Sequence, residues 1–170
     1  MMAAVTIKEV APHVEVSLFE KNNRLGAKVL ISGGGRCNVT TGIFDVRELL
    51  KNYPRGAKFL ITAMHHFSPE RVMEWFENHR VLMKTEEDLR VFPESDNGND
   101  VVSVFEREMR DKGVNLMLST AVLGVQKAGT FILTTPRGDL SFDAVILATG
   151  GNAYRHTGST GDGYAFARAM

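Results

Sequence analysis

The pattern of hydrophobic and polar positions divides the first part of the chain into a helix, a strand and a glycine-rich segment. Apolar residues at helical spacing predict a helix over residues 1–11, which Pro12 ends. Alternating apolar and polar residues predict a strand over residues 14–19, and Glu20 follows directly after it. A glycine-punctuated segment follows over residues 24–41.

The middle of the chain is predicted to be mainly helical. Residues 43–80 carry helical spacing in two or three pieces, and Ser68 followed by proline is a typical helix start. Residues 81–99 are mixed and contain a polar turn. A further helix is predicted over residues 100–112, with Asp100 as its cap and a glycine as its stop.

Short strands fill most of the last third of the chain. Their predicted ranges are 115–118, 121–127, 131–135 and, strongly apolar, 140–148, with a turn at 136–139. Helices and strands in this order predict an α/β domain with an antiparallel β-meander inserted late. The sequence contains neither an internal repeat nor a linker, so a single domain over residues 1–170 is expected.

Composition limits the classes of function. Lys plus Arg and Asp plus Glu both number 20, so the net charge is zero, which argues against a nucleic-acid partner. A lone cysteine, Cys37, excludes an internal disulfide and favours a cytoplasmic protein. No apolar run approaches the roughly 18 residues of a membrane span, and the five histidines are scattered, so no metal site is predicted.

Glu20 lies where a dinucleotide-binding unit places an acidic residue. Such units run strand, glycine-rich turn, helix, strand and acid, and the acid accepts hydrogen bonds from ribose hydroxyls. The helix, the second strand and the acid are present here, whereas the first strand and glycine turn are expected to be missing. The residues alone equally allow Glu20 to be a charged strand end.

The run Gly33-Gly34-Gly35 with Arg36 and Cys37 is the second candidate for chemistry. Consecutive glycines allow positive φ and close approach of the backbone to a ligand. Arg36 adds a fixed cation suited to pyrophosphate or to a carboxylate, and that cation would lower the pKa of Cys37. A small packed side chain near a cofactor is the favoured role of Cys37, and a flexible turn is the alternative interpretation of the glycines.

Two glycine-containing segments near the end complete the candidates. Residues 148–151, Ala-Thr-Gly-Gly, end the apolar strand, where ligands of open α/β sheets bind. Residues 158–163 lack the Gly-Lys-Ser/Thr ending of a nucleotide-hydrolysing loop, but Gly161 and Asp162 lie at a predicted helix start that suits an anion. An ordinary strand-to-turn transition and a glycine hinge are the alternatives.

The run from Lys28 to Thr40, Lys-Val-Leu-Ile-Ser-Gly-Gly-Gly-Arg-Cys-Asn-Val-Thr, resembles the BaiN-like (YhiN-like) family of bacterial NAD(P)/FAD-dependent flavoprotein oxidoreductases. Residues 18–21, 91–95, 148–151 and 158–164 agree with the same family, so the resemblance covers nearly the whole chain.

The resemblance implies a two-dinucleotide-binding, Rossmann-like flavoprotein fold with non-covalent FAD, and NAD(P)H as a candidate electron donor. It implies that Glu20 holds the adenosine ribose, that residues 32–38 lie along the flavin and pyrophosphate, and that the backbone near Val122 meets the adenine. The cofactor-binding residues expected from the resemblance and the glycine pattern are Glu20, Lys21, Ser32, Gly33, Gly34, Gly35, Arg36, Cys37, Asn38, Val122, Ala148, Thr149, Gly150, Gly151, Gly161 and Asp162.

Family members start with a strand and a Gly-x-Gly-x-x-Gly loop before the first helix seen here. They also continue beyond Met170 through a substrate-side domain to a final FAD-contacting segment. The chain is therefore expected to be a partial FAD-binding domain, truncated at both ends, of an oxidoreductase acting on a small-molecule substrate, and the sequence assigns no catalytic acid or base. The alternative is a non-catalytic remnant or binding module that needs a partner chain at its open sheet edge.

Overall fold

The computed structural model describes residues 1–155 and 158–170. His156, to which the sequence assigned no role, lies outside the described residues. The helices are α1 (Met2–Val10), α2 (Ala27–Ile31), α3 (Val46–Lys51), α4 (Ala57–His66), α5 (Pro69–Asn78), α6 (Gly98–Asp111) and α7 (Asp162–Ala169). The strands are β1 (Ser17–Phe19), β2 (Thr40–Thr41), β3 (Met83–Thr85), β4 (Arg90–Pro93), β5 (Asn115–Met117), β6 (Gly124–Ala128), β7 (Thr130–Thr135) and β8 (Gly138–Phe142).

The chain forms two compact units. The first, unit 1, comprises Met1–Lys28 and Glu106–Met170, and the second, unit 2, comprises Val29–Phe105. Each unit has its own sheets, and the candidate site residues are divided between the two units.

A short parallel pair of strands forms one sheet of unit 1. β1 pairs with β5, and Leu18 lies opposite Leu116. Parallel pairing requires a long crossover between the strands, and here almost a hundred residues separate Phe19 from Asn115 along the chain. Glu20 follows β1 directly, so the carboxyl end of this pair carries the first candidate residue.

The β-meander is the second sheet of unit 1. β6, β7 and β8 pair in chain order, all antiparallel, and a two-residue turn links β7 to β8, as the predicted turn at 136–139 requires. Val125, Leu133 and Phe166 form the buried centre, so α7 packs Phe166 on the meander. The half-buried residues packed around this centre are Phe19, Val122, Phe131, Phe142, Val145 and Leu147.

Unit 2 consists of helices α3 to α5 and a three-stranded antiparallel sheet in the order β2-β4-β3. Ser68 caps α5 by accepting a hydrogen bond from the Arg71 N–H, and Pro69 takes the first helical position, as the sequence predicted. Trp75 stacks on Phe105 with ring centroids 5.2 Å apart, which ties α5 to the middle of α6. Val91 and Phe92 on the central strand β4 are fully buried.

The mixed α/β architecture, the three helical pieces within residues 43–80 and the late meander confirm the predicted fold class. Several predicted boundaries differ from the structure, and the strand predicted over residues 121–127, for example, begins only at Gly124. β1 covers Ser17–Phe19 only, because its partner β5 offers three residues. The helix predicted from Asp100 begins at Gly98, and the Asp100 carboxylate accepts from the Ser95 hydroxyl instead of capping it.

The predicted strand over residues 140–148 is also wrong in its second half. Strand β8 ends at Phe142. Beyond it Val145 and Leu147 pack on the meander core, while Ile146 between them is 62% exposed. This alternation is typical of a strand, but within residues 1–155 and 158–170 the segment pairs with no other strand, so it lacks ladder hydrogen bonds.

In the part of the chain that the structure describes, none of the helices combines the length and apolar character needed to cross a bilayer.

Truncation of the meander core is expected to destabilise unit 1. Leu133 is 5% exposed, so Leu133→Ala should lower the free energy of unfolding by about 2–5 kcal/mol through lost burial and a cavity. The matched control is Leu123→Ala, because Leu123 is 61% exposed and should change stability by less than about 0.5 kcal/mol. Urea denaturation followed by circular dichroism measures both, and equal effects would contradict the assignment of this core.

Candidate functional site

Glu20 lies at the carboxyl ends of the parallel strands β1 and β5. Its backbone N–H donates to the Met117 carbonyl (3.0 Å), and its carbonyl accepts from the Thr120 N–H (3.0 Å), which fixes the residue to β5 and the turn after it. One carboxylate oxygen, Oε1, accepts from the Asn22 N–H at 2.8 Å. Among the described residues Oε2 has no hydrogen-bond donor, so the half-buried carboxylate retains acceptor capacity.

Lys21 joins this strand end to the loop that precedes α7. Its Nζ donates to Thr160 Oγ1 (2.9 Å) and lies 3.4 Å from Asp162 Oδ2. Thr160 Oγ1 in turn donates to Asp162 Oδ2 at 2.6 Å. That hydrogen bond from Thr160, together with the charge of Lys21, holds the pKa of Asp162 below its usual range. Lys21 is separated from Thr160 and Asp162 by 139 and 141 positions along the chain. The three side chains nevertheless form one polar cluster that contains an ionised carboxylate.

The segment Thr149–Gly151 contacts the same loop. Thr149 Oγ1 accepts a hydrogen bond from the Gly163 N–H at 3.1 Å, in the first turn of α7. Gly150 has φ +76°, and a Cβ there would lie 3.5 Å from the Ser159 hydroxyl. Ala148, just before, is exposed. The two glycine segments predicted to line a ligand thus adjoin each other and Lys21 within unit 1.

Val122 has a different environment. Its side chain packs against the buried centre of the meander formed by Val125, Leu133 and Phe166. Its side chain therefore contributes to the core, and the expected contact of its backbone with the adenine stays a prediction.

The remaining candidates, Ser32 to Asn38, all belong to unit 2. Ser32–Gly35 is a 3-10 helix with left-handed backbone at Gly33 (φ +58°) and Gly34 (φ +72°). Ser32 closes the preceding turn, since its hydroxyl donates to the Val29 carbonyl (2.9 Å) and its carbonyl accepts from the Cys37 N–H (3.1 Å). Because these bonds order the loop, it is not a flexible spacer.

Gly33 is required by a close approach as well as by its φ. A Cβ at this position would lie 2.6 Å from Cε1 of the buried Phe92 ring and 3.1 Å from the backbone nitrogen of Asn38. A Cβ at Gly34, by contrast, would meet nothing within 4 Å. Gly33 is therefore required both by its left-handed backbone and by the lack of space for a Cβ, whereas Gly34 is required by its left-handed backbone alone.

Arg36 pairs with carboxylates of unit 2. Its Nη1 lies 2.5 Å from Glu86 Oε1 and 3.4 Å from Asp96 Oδ1, and its Nη2 lies 3.4 Å from Glu86 Oε2. The sequence left pyrophosphate and carboxylate open as partners of this cation, and the structure gives it carboxylates.

Cys37 is packed inside unit 2. It is 4% exposed, has φ +64°, and its Cβ lies against Gly98 at the start of α6. Burial raises the pKa of the Cys37 thiol, and a weaker opposite effect comes from a hydrogen bond with Ser32. The hypothesis that Arg36 activates this thiol is therefore wrong, because the guanidinium is directed to Glu86 while desolvation favours the neutral thiol.

Asn38 ties the end of the loop to the sheet. With its amide oriented to satisfy its hydrogen bonds, its nitrogen donates to the carbonyls of Val91 (3.2 Å) and Thr40 (2.9 Å). The Val39 N–H adds a bond to the Val91 carbonyl at 2.9 Å. Asn38 therefore connects β2 to β4 rather than projecting as a free polar group.

Sequence reasoning missed Thr160, Glu86 and Asp96 as members of these clusters. Thr160 stands within the run at 158–163, and its hydroxyl next to Asp162 is a local indication of a shared hydrogen bond. Glu86 and Asp96 are 50 and 60 positions from Arg36, and no local pattern connects them.

Substitutions at the two glycines should differ in severity. Gly34→Ala should cost about 1–2 kcal/mol of stability, the penalty of a left-handed residue with a Cβ. Gly33→Ala should cost about 1–3 kcal/mol more, because the Phe92 ring must also move. Urea unfolding of both variants measures the difference, and equal losses would show that Phe92 does not restrict this position.

The Cys37 thiol should react slowly in the folded protein. Labelling by a chromogenic disulfide reagent at pH 8 should be at least about a hundredfold slower than in urea, since the buried thiol reacts only after local opening. Because its pKa is raised, the rate should keep rising with pH beyond the ordinary thiol range. Rapid labelling that reaches a plateau near neutral pH would contradict this environment.

Comparison with known proteins identifies relatives over the whole chain. The chain is 28% identical over 171 aligned residues to a 3-dehydro-bile acid delta(4,6)-reductase of Clostridium scindens, covering 100% of this chain and 41% of that protein. It is 26% identical over 153 residues to a ribosomal RNA dihydrouridine synthase of Escherichia coli, covering 89% of this chain and 37% of that protein. The chain spans about two fifths of the length of these relatives.

The family described as HI0933-like protein Rossmann domain matches residues 1–170. This match extends over both units and all the candidate residues described above. The family resemblance inferred from the glycine-rich run is confirmed, and the chain belongs to the HI0933-like Rossmann-domain family.

Proposed function

We propose that this chain is the FAD-binding part of an oxidoreductase. The observation that carries the proposal is the position of Glu20, whose carboxylate stands at the carboxyl ends of the parallel strands β1 and β5 with one oxygen open to a donor. In dinucleotide-binding domains an acid in this position accepts hydrogen bonds from ribose hydroxyls.

The donor and acceptor chemistry of unit 1 fits a sugar-containing ligand. Asp162 is an ionised carboxylate, and ionised carboxylates only accept hydrogen bonds, which suits hydroxyl donors better than phosphate. Lys21, 35% exposed, pairs with it, and Arg155 adds a further positive charge nearby. The loop Gly158–Gly161 brings backbone close to Lys21 and Asn22, so the ligand would be held largely by main chain and by two acids.

In unit 2 the glycine loop would supply backbone donors. Gly34 has open space around its Cβ position, so a planar ring or a phosphate could approach its backbone closely. A bound flavin would supply the hydride or electron transfer, while these residues bind and orient it. We assign no catalytic acid or base.

We also propose a class of substrate and an electron donor. One relative is named a reductase, so we propose a reduction with NAD(P)H as the electron source. The zero net charge favours a small-molecule substrate over a nucleic acid, although one relative is named for ribosomal RNA.

FAD titration tests the proposal. Purified protein should bind FAD with saturable quenching of flavin fluorescence, and FMN, which lacks the adenosine, should bind at least about tenfold more weakly. Glu20→Gln should weaken FAD binding by about tenfold through the loss of a charged acceptor. Glu15→Gln, at an exposed position of unit 1, is the matched control and should change nothing. Folded protein that shows no saturable FAD binding would refute the proposal.

A second candidate is a binding module completed by a partner chain. The observation favouring it is the segment at residues 143–148, which alternates in burial like a strand yet has no partner strand within the described parts of the chain. Such an edge is a template for strand addition. A stable monomer in solution that binds FAD alone would argue for the first candidate, whereas flavin binding that appears only with an added polypeptide would favour the second.

A further inference from the structure

We propose that Arg36 is a positioning residue that clamps the glycine loop to the β3–β4 turn through Glu86 and to the turn after β4 through Asp96, and that it does not bind the phosphates of the cofactor. This inference rests on the proposed FAD site. It assigns FAD binding by unit 2 to the shape of the loop rather than to the charge of its arginine.

The guanidinium of Arg36 is directed toward Glu86 and toward the glycine loop itself. Both terminal nitrogens of Arg36 face Glu86, at 2.5 Å and 3.4 Å, in a fork-to-carboxylate pair. Its Nε donates back to the Gly33 carbonyl at 3.4 Å. The same side chain therefore contacts the loop at one edge and the β3–β4 turn at the other.

Arg36 also stacks on the ring of Phe92. The guanidinium carbon lies 3.9 Å from the centroid of the Phe92 ring, which is fully buried. The same ring fills the space next to Gly33, where a Cβ would be only 2.6 Å away. Gly33, Phe92 and Arg36 are thus layers of one packed stack, and withdrawing Arg36 would remove the nearer of two guanidinium groups over the ring, the other being that of Arg90 at 5.2 Å.

The charges around Arg36 are matched by a network of ion pairs. Asp96 also pairs with Lys84 (2.6 Å), and Arg90 pairs with Asp88 (2.7 Å) and lies 3.6 Å from Glu86. Within the described chain these ion pairs join three cations to three carboxylates. To reach a pyrophosphate, Arg36 would have to leave Glu86 without its forked partner and add its charge elsewhere, which the closed network opposes.

The two roles of Arg36 predict opposite results for Glu86→Gln. If Arg36 were a phosphate ligand held back by Glu86, neutralising Glu86 would release it and tighten FAD binding. If Arg36 clamps the loop, neutralising Glu86 loosens the clamp and weakens FAD binding. Arg36→Lys separates the roles again, because lysine keeps the charge for a phosphate but lacks the fork that fits Glu86 and the plane that stacks on Phe92.

The experiment measures FAD affinity by flavin fluorescence for the wild-type chain, Arg36→Lys, Glu86→Gln and the double variant. We expect each single variant to bind FAD about tenfold more weakly, and the double variant to be no worse than either, because both remove one shared interaction. Glu87→Gln and Arg47→Lys, at exposed positions of unit 2, are the matched controls and should bind as the wild type does.

A second readout does not depend on flavin. Cys37 follows Arg36 directly and is buried, so loosening of the loop should speed its labelling by a thiol reagent. We expect about tenfold faster labelling in Arg36→Lys and in Glu86→Gln, with unchanged rates in both controls. A variant that fails to fold is recognised by circular dichroism, and Glu86→Gln, the milder change, then decides the test.

The outcomes are distinct. Tighter FAD binding by Glu86→Gln, or wild-type binding by Arg36→Lys, would overturn the clamp and make Arg36 a direct ligand. Unchanged Cys37 labelling in both variants would also overturn it. A wild-type chain that binds no FAD would refute the proposed function, while the labelling rates would still decide whether Arg36 holds the loop.

Discussion

The contact between the Gly33 backbone and the buried Phe92 ring is the constraint on which the candidate site of unit 2 depends. Only a residue without a Cβ fits between this ring and the Asn38 nitrogen. Once Gly33 lies there, the loop turns through left-handed backbone to Cys37, and Arg36 is brought over the other part of the ring. The order of the loop therefore comes from the sheet beneath it.

The start of α6 extends the same constraint. A Cβ at Gly98 would lie 2.8 Å from the Gly35 carbonyl oxygen and 3.3 Å from the Cys37 Cβ, so a glycine is needed there for the helix to approach the loop. Burial of the thiol follows from this approach and explains its raised pKa. Although Cys37 stands beside an arginine in the sequence, its burial favours the neutral thiol.

Unit 1 organises its polar residues by another means. Strand pairing places Glu20 at the carboxyl end of β1 and β5, and a chain of hydrogen bonds from Lys21 through Thr160 to Asp162 attaches the loop before α7. Here Lys21 and Arg155 both act on the Asp162 carboxylate, whereas in unit 2 three cations pair with three carboxylates. The chemistry of the two units therefore suits hydroxyl groups in the first and close backbone approach in the second.

The sequence by itself determined the elements that depend on near neighbours in the chain. Helical spacing, the Ser68-Pro69 start and the turn at 136–139 are set by local backbone preferences, and the glycine-rich run alone was enough to indicate the family. Tertiary structure decided what depends on distant partners. Residues 143–148 have the pattern of a strand, but among residues 1–155 and 158–170 no neighbouring strand supplies the ladder hydrogen bonds. The partner of Arg36 likewise depends on the tertiary structure. Glu86 is 50 positions away, and the residues next to an arginine do not indicate which distant carboxylate it will pair with.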